Sequence, residues 1–274
     1  MKTRLCLLVI LSVFALVAFC QPAMAHNLWL NPADHYPAVG STVDIGIGWG
    51  HTYPANRVDQ EVKEGHVASI SAVDPDGLTV PLLKASTALY KLKVEKAGVY
   101  LITAKIRPVV FTMTPEGRKR GDKKAVANAV KCTDFHIEAK TVIMAGGEAR
   151  NLGSAAGQPL ELIPLTDPRT IKGGGPFAVQ VLFEGRPLAD AKVRANFAGF
   201  EAGAPSHHAP AQKEGKKRER HFAAESTTDA QGKAQLALSQ AGYWMVVISN
   251  KPPYPDTAAC DEYMYNTAFT FQVP

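Results

Sequence analysis

The chain has 274 residues, 46% of them hydrophobic, and a formal net charge of +5 at pH 7. Lys2 and Arg4 supply two of those charges at the extreme N-terminus and most of the remaining excess is local, so nucleic acid is not implied as a partner. No apolar run reaches the roughly twenty residues that a membrane-spanning helix requires, which excludes a helical membrane protein.

Residues 1–25 read as a secretory signal peptide. Lys2 and Arg4 are followed by the apolar run Leu5 to Phe19 and then by Ala23-Met24-Ala25, a small-residue cleavage pattern. Cleavage after Ala25 makes His26 the first residue of a mature, soluble, periplasmic chain. The competing lipoprotein reading would use Cys20, but Phe19 is bulky where that signal wants a small residue. Cleavage removes Cys6 and Cys20 and leaves Cys132 and Cys260 in a compartment where disulfides persist. A bridge between them is expected; two buried thiols or a pair of soft-metal ligands are the alternatives.

From Leu28 to about Lys140 the pattern is one of short β-type runs broken by turn residues. The runs are Thr42 to Gly48, His66 to Val73, Leu89 to Val94, Val99 to Ile106 and Phe135 to Met144, with Asp74-Pro75-Asp76-Gly77 as a strong turn. A Gly- and Ala-rich stretch, Ala145 to Gly157, precedes a second series: Leu160 to Leu165, Phe177 to Phe183, Ala191 to Ala198, Lys233 to Leu238, Tyr243 to Ser249 and Ala268 to Val273. Hairpin turns are expected at Glu184-Gly185-Arg186-Pro187-Leu188 and Thr228-Asp229-Ala230-Gln231-Gly232. Glu201 to Glu225 is too polar for a core strand and reads as a mobile basic loop. No apolar pattern keeps a helical period. The expected fold class is all-β, with two immunoglobulin-like antiparallel β-sandwich domains: residues 26–145, a linker and entry strand at 146–165, and residues 166–274.

A histidine at a free N-terminus can close a six-membered chelate on one metal ion through its α-amine and its ring Nδ1. The α-amine, with a pKa of about 7.7 to 8.0, loses its proton far more readily than a lysine, so chelation near neutral pH costs little. His26 is therefore the first candidate ligand. His51 is the second, in Gly48-Trp49-Gly50-His51-Thr52-Tyr53-Pro54, where a strand with alternating Val43, Ile45 and Ile47 ends. A set of amine and imidazole nitrogens suits Ni(II) or Cu(II). Secondary candidates are His136 on a strand, Asp261 with Tyr263 in the turn before the last strand, and His207, His208 and His221 in the basic loop. Lys213, Lys216, Lys217, Arg218 and Arg220 would repel a cation from that loop. His66 and His35 read as structural.

The segments Ala25-His26-Asn27-Leu28-Trp29-Leu30, Gly50-His51-Thr52-Tyr53-Pro54, Phe111-Thr112-Met113-Thr114-Pro115-Glu116-Gly117, Leu160-Glu161-Leu162-Ile163-Pro164-Leu165 with Pro168, and Val181-Leu182-Phe183-Glu184-Gly185-Arg186-Pro187-Leu188 carry a resemblance, and Thr228 to Gly232 and Gly242-Tyr243-Trp244 fit it too. In this combination the chain resembles a family of periplasmic proteins that accompany nickel and cobalt uptake systems, including transporters of the energy-coupling-factor type. The resemblance implies a two-domain β-sandwich that binds a divalent transition metal, with His26 and His51 as ligands, and does not settle which metal; the leading reading is capture of Ni(II), with Co(II) as the alternative cargo, for a membrane permease component as partner.

Other function classes stay open. A copper-binding protein follows from the same nitrogens, because Cu(II) outcompetes Ni(II) at almost any such site. Copper-dependent polysaccharide oxygenases also use an N-terminal histidine with a second one. They need a flat aromatic face, however, and the aromatic content of 8% shows no obvious cluster. An immunoglobulin-like interaction module without metal is the structural alternative. There is no serine nucleophile motif, phosphate-cradling loop or zinc hydrolase motif, and no enzyme activity is expected.

Overall fold

The computed structural model describes residues 26–50, 53, 62–200 and 222–274. The expected leader, His51 and the loop histidines His207, His208 and His221 lie outside the described residues. Among the described residues no helix is long and apolar enough to cross a membrane.

The described chain is built of strands with one 3-10 turn at Pro168–Thr170. In the first half they are β1 (Asn27–Pro32), β2 (Thr42–Gly50), β3 (Val67–Val73), β4 (Thr79–Val80), β5 (Leu82–Lys84), β6 (Leu89–Lys93), β7 (Gly98–Ile106), β8 (Val109–Thr114), β9 (Gly117–Arg120) and β10 (Lys131–Ala145). The second half contributes β11 (Leu160–Pro164), β12 (Gly175–Phe183), β13 (Arg186–Pro187), β14 (Lys192–Phe197), β15 (Ala224–Thr227), β16 (Lys233–Leu238), β17 (Gly242–Asn250) and β18 (Glu262–Val273). The expected basic loop therefore ends earlier than its composition suggests. Ala224 and Glu225 belong to β15, where Arg194 of β14 pairs with Glu225 at 2.6 Å and makes a polar edge strand viable.

The all-β class holds, in several largely antiparallel sheets. A division into two separate sandwiches is not shown, because one ten-stranded sheet runs through both halves in the order β15-β14-β17-β18-β10-β7-β3-β4, with β8 and β9 beside β10. The halves join where β10 and β18 pair in parallel, Thr133 opposite Glu262 through Thr141 opposite Thr270. A four-stranded sheet, β1-β2-β6-β5, and a second one of β11, β12, β13 and β16 complete the fold.

Residue parity places these layers. On β10, Ile137, Ala139, Ile143 and Ala145 pack into the core shared with Leu28, Leu30, Ile45 and Ile47 of β1 and β2. Val142 and Met144, which point the other way, pack with Leu160, Leu162, Phe177 and Val179 of β11 and β12. The two smaller sheets thus cover opposite faces of the shared one. A strand covered on both faces reads as a continuous apolar run rather than an alternating one, and β10 is buried without a break from Ile137 to Ala145. Lys140 lies within that stretch, fully buried, and donates to Glu161 of β11. Glu161 also accepts from the amides of Ala156 and Gly157, at 2.5 and 3.0 Å, so the same carboxylate fastens the connection between the halves. Burial holds the Lys140 pKa below the ordinary lysine range, opposed by the Glu161 charge.

Cys132 and Cys260 form a disulfide that clamps β10 to the segment entering β18. The bond agrees with an oxidising, extracytoplasmic compartment. Protein denatured without reductant should label neither cysteine. In the loop-entropy model, replacing both by serine should cost about 4 to 5 kcal/mol in urea unfolding, and a loss under about 1 kcal/mol would mean that the clamp is energetically idle.

His35 supplies a second test. Its buried ring Nδ1 lies 2.8 Å from the Val142 carbonyl oxygen. Burial lowers its pKa from 6.5 to about 4, against smaller raising effects of that hydrogen bond and of Asp34. Between these values the unfolded chain takes up a proton that the folded chain refuses. The contribution of the neutral ring is therefore complete above pH 6.5 and is lost as pH falls toward about 4. The full effect amounts to about 3 kcal/mol. Urea unfolding of the native chain should weaken by most of this between about pH 7.5 and pH 4.5, whereas His35→Gln should weaken by clearly less; equal losses would rule out His35 as the source.

Candidate functional site

The site begins where the core between the β1 sheet and the shared sheet runs out. His26, just before β1, continues the face of Leu28 and Leu30, and along β2 Val43, Ile45, Ile47 and Trp49 share one face. The four aliphatic members of the β2 and β1 rows nearest the centre, Leu28, Leu30, Ile45 and Ile47, are buried in the core. At the open end the rows finish in His26 and Trp49, whose rings stack with centroids 5.1 Å apart and planes 19° from parallel. His66, just before β3, meets the same indole edge-on at 4.9 Å. Burial, assisted by the Lys63 charge, lowers the pKa of His66 and favours its neutral ring.

Two devices fix the approach to His26. Asn27 pairs with Gly50 across the ladder. Its side-chain oxygen accepts at 2.9 Å from Asn266 of β18, and Ser249 donates at 2.8 Å to the Asn266 carbonyl oxygen. Asn266 is buried, so this polar chain ties the start of β1 to the shared sheet. Further along, Thr270 donates to the Leu30 carbonyl at 2.5 Å. The second device is the glycine at position 48. Trp29 lies flat against it, and a Cβ there would fall 2.0 Å from the indole nitrogen, so only glycine lets the two strands pair in this register.

Opposite His26, Trp49 and His66 stands the β8–β9 hairpin, closed by Pro115 and Glu116 and paired through Phe111 with Arg120 and Met113 with Arg118. The Arg118 guanidinium sits 4.3 Å above the Phe111 ring. Together these walls enclose an open cleft of about 530 Å³. Its apolar lining includes Trp49, Ile106, Val109, Phe111, Phe135 and Ile137; its cationic lining is Lys63, Arg107, Arg118 and Arg120.

The sequence-derived candidates divide on this geometry. His26 lines the cleft, and His66, read from sequence as structural, joins it there. Gly50 ends β2, and His51 follows it outside the described residues. His136 is on the opposite face of β10 from the cleft residues Phe135 and Ile137. It packs instead against Tyr263 and Tyr265, with centroids 5.6 and 4.8 Å away, and has Asp134 at 3.4 Å from its Nε2. Asp261 accepts from Lys123 and, at 2.8 Å, from the Cys132 amide, beside the disulfide; those hydrogen bonds and the Lys123 charge outweigh its burial and hold its pKa below the usual carboxylate range. Among the described residues no three His, Cys, Asp or Glu side chains converge as a group able to hold a metal.

The residues that sequence reasoning missed are His66, Arg107, Phe111, Arg118 and Arg120. The hairpin segment was visible as Phe111 to Gly117, but only the pairing of β8 with β10 brings it to the cleft.

No curated protein matches the chain. Among solved structures, the D00–D0 domain of intimin is 15% identical at a TM-score of 0.20, covering 89% of this chain and 98% of that one. A DUF4785 family protein from Legionella pneumophila is 13% identical at a TM-score of 0.22, covering 87% of this chain and 55% of the other. The two tandem V-type regions of VCBP3 are 10% identical at a TM-score of 0.23, covering 88% and 99%. Likenesses this distant carry no argument. A family model does: the domain of unknown function DUF4198 matches residues 23–251, most of the chain, and the protein belongs to that family.

Proposed function

We propose that this protein works in the periplasm, where it captures a divalent transition metal, Ni(II) with Co(II) as the related cargo, and supports its uptake by a membrane permease component. The observation that carries this reading is the position of His26, at the start of β1, stacked on Trp49 and lining the cleft that His66 also lines. Cleavage after Ala25 would place the α-amine on that same residue, giving a two-nitrogen chelate at the cleft. Asn27 and Gly50 are ladder partners, and the chain neighbours of this pair are His26 and His51. His51 is therefore the natural third nitrogen, with neutral His66 as the other imidazole at hand. The metal is cargo, so no covalent chemistry is asked of the chain. A nitrogen donor set also favours Cu(II), which supports copper binding as the second reading.

The chelate makes a demand that a side-chain ligand does not. One extra residue ahead of His26 turns the amine into a peptide nitrogen that binds metal poorly near neutral pH while leaving the imidazole in place. In calorimetric titrations with Ni(II) and Cu(II), the extended protein and His26→Ala should both lose tight binding, with His51→Ala weakened. The native protein should bind more weakly as pH falls from about 7 to 5, since protons compete for the amine near 7.7 to 8.0 and for imidazole near 6.5. An extended protein that binds as tightly as the native one disproves the chelate.

Asn266 offers a separate check on positioning. Asn266→Ala leaves the half-buried Asn27 without its partner and the exposed Ser249 hydroxyl to water, at a cost of about 1 kcal/mol in urea unfolding. It should also weaken metal binding by roughly tenfold or more, although no ligand is altered. Lost stability with undiminished metal affinity would show that β1 needs no anchor at its start.

A further inference from the structure

The cleft is poorly matched to a bare cation. Among the described residues, four cationic side chains, Lys63, Arg107, Arg118 and Arg120, line it, against one carboxylate, Glu64. Glu64 is already engaged with Lys84 at 2.8 Å, and among the described residues none of the four cations has a carboxylate partner. A hydrated divalent ion approaching His26 would be repelled by these four side chains, which slows association and weakens binding. The volume is equally out of scale. About 530 Å³ is in the range of pockets for small organic molecules, and a single ion would use a small part of it.

We infer that the cleft receives the metal as a complex with an organic polycarboxylate, with His26 bound to the metal and Arg107, Arg118 and Arg120 bound to the carboxylates of the chelator. The inference rests on the metal reading of His26. Guanidinium groups suit the task because their forked donors match a carboxylate in pairs. Arg118 is held over Phe111, and Arg120 lies opposite Phe111 in the β8–β9 ladder, so both are carried on the same hairpin beside the cleft. The apolar lining, Phe111, Phe135, Ile106 and Ile137 among it, accommodates the carbon skeleton, while the exposed guanidinium groups stand at the cleft's open side. Such a complex solves the charge problem: Ni(II) with one citrate is a net anion, attracted by the same four side chains that repel the free ion.

Equilibrium dialysis of the mature full-length chain separates the alternatives. The probes are Ni(II) alone, citrate alone, and preformed 1:1 Ni(II)–citrate, with malate run in parallel. Metal and carboxylate are both measured in the retained fraction. The expected result is one metal and one carboxylate retained together, with carboxylate retention lost when Ni(II) is omitted or His26 is replaced by alanine. R118Q/R120Q, checked for an unchanged circular dichroism spectrum, should lower carboxylate retention by about tenfold or more, and added salt should do the same in the native protein. Metal retained with both carboxylates left free overturns the inference and leaves a bare-ion site. Carboxylate retained equally without metal and in His26→Ala also overturns it, as an anion site indifferent to metal. Failure to retain Ni(II) in any form removes the metal reading itself and the inference with it.

Discussion

The structure depends on the requirement that β10 satisfy both of its edges and both of its faces at once. Every buried amide and carbonyl must find a partner, and this strand meets that demand with β18 along one edge and with β8 and then β7 along the other. Its two faces belong to different cores. β18 contributes the same double service: Phe269 and Phe271 face the second core, and Ala268 packs with Trp29 of β1. Two chain segments more than a hundred residues apart are thereby fused into one layer. The disulfide at the start of this pair reinforces the same seam, and the Lys140–Glu161 ion pair ties β10 to β11 across the second core.

The cleft follows from how that layer ends. Toward Ala145, β10 is covered on both faces; toward Lys131 it leaves β7 and takes up the β8–β9 hairpin. Phe135 and Ile137 lie at this change of partner, where the core row that began inside the molecule comes out under Trp49 and His26. The proposed binding surface is thus the unfinished end of a hydrophobic core, with the hairpin supplying arginines where another sheet strand would have supplied aliphatic side chains. Sandwich ends offer such sites because strands hold the side chains rigidly while the termini and turns stay free to vary.

The electrostatics of the cleft and the chemistry of its histidine pull in opposite directions only if the ligand is a naked ion. A ring stacked on an indole and a neutral neighbour at His66 are suited to donating nitrogen lone pairs. Three arginines and a lysine are suited to carboxylates. A chelated cargo reconciles both halves of the lining, and it does so with residues drawn from β2, β7, β8, β9 and β10 and from the segments just before β1 and β3 and just after β7.

Sequence alone was enough for the local features. Period-two alternation in Thr42 to Gly48 or Lys233 to Leu238 marks a strand with one buried face, and Asp74-Pro75-Asp76-Gly77 marks its turn, because each depends only on neighbouring residues; all appear in the structure. The leader pattern singled out His26 for the same reason, and the two thiols left after cleavage pointed to their bond by count and compartment rather than by local pattern. β8 escaped notice as a strand although it is largely apolar, and the polar strands β9 and β15 escaped because only pairing with β8 and β14 makes them strands. The sharing of one sheet between both halves was hidden likewise: a parallel pairing across more than a hundred residues leaves no periodic trace. His66 shows the limit most clearly. Nothing near Gly65-His66-Val67 distinguishes a solvated histidine from a site residue, and only the packing of the start of β3 against Trp49 brings it beside His26, with arginines from a third strand pair across the gap.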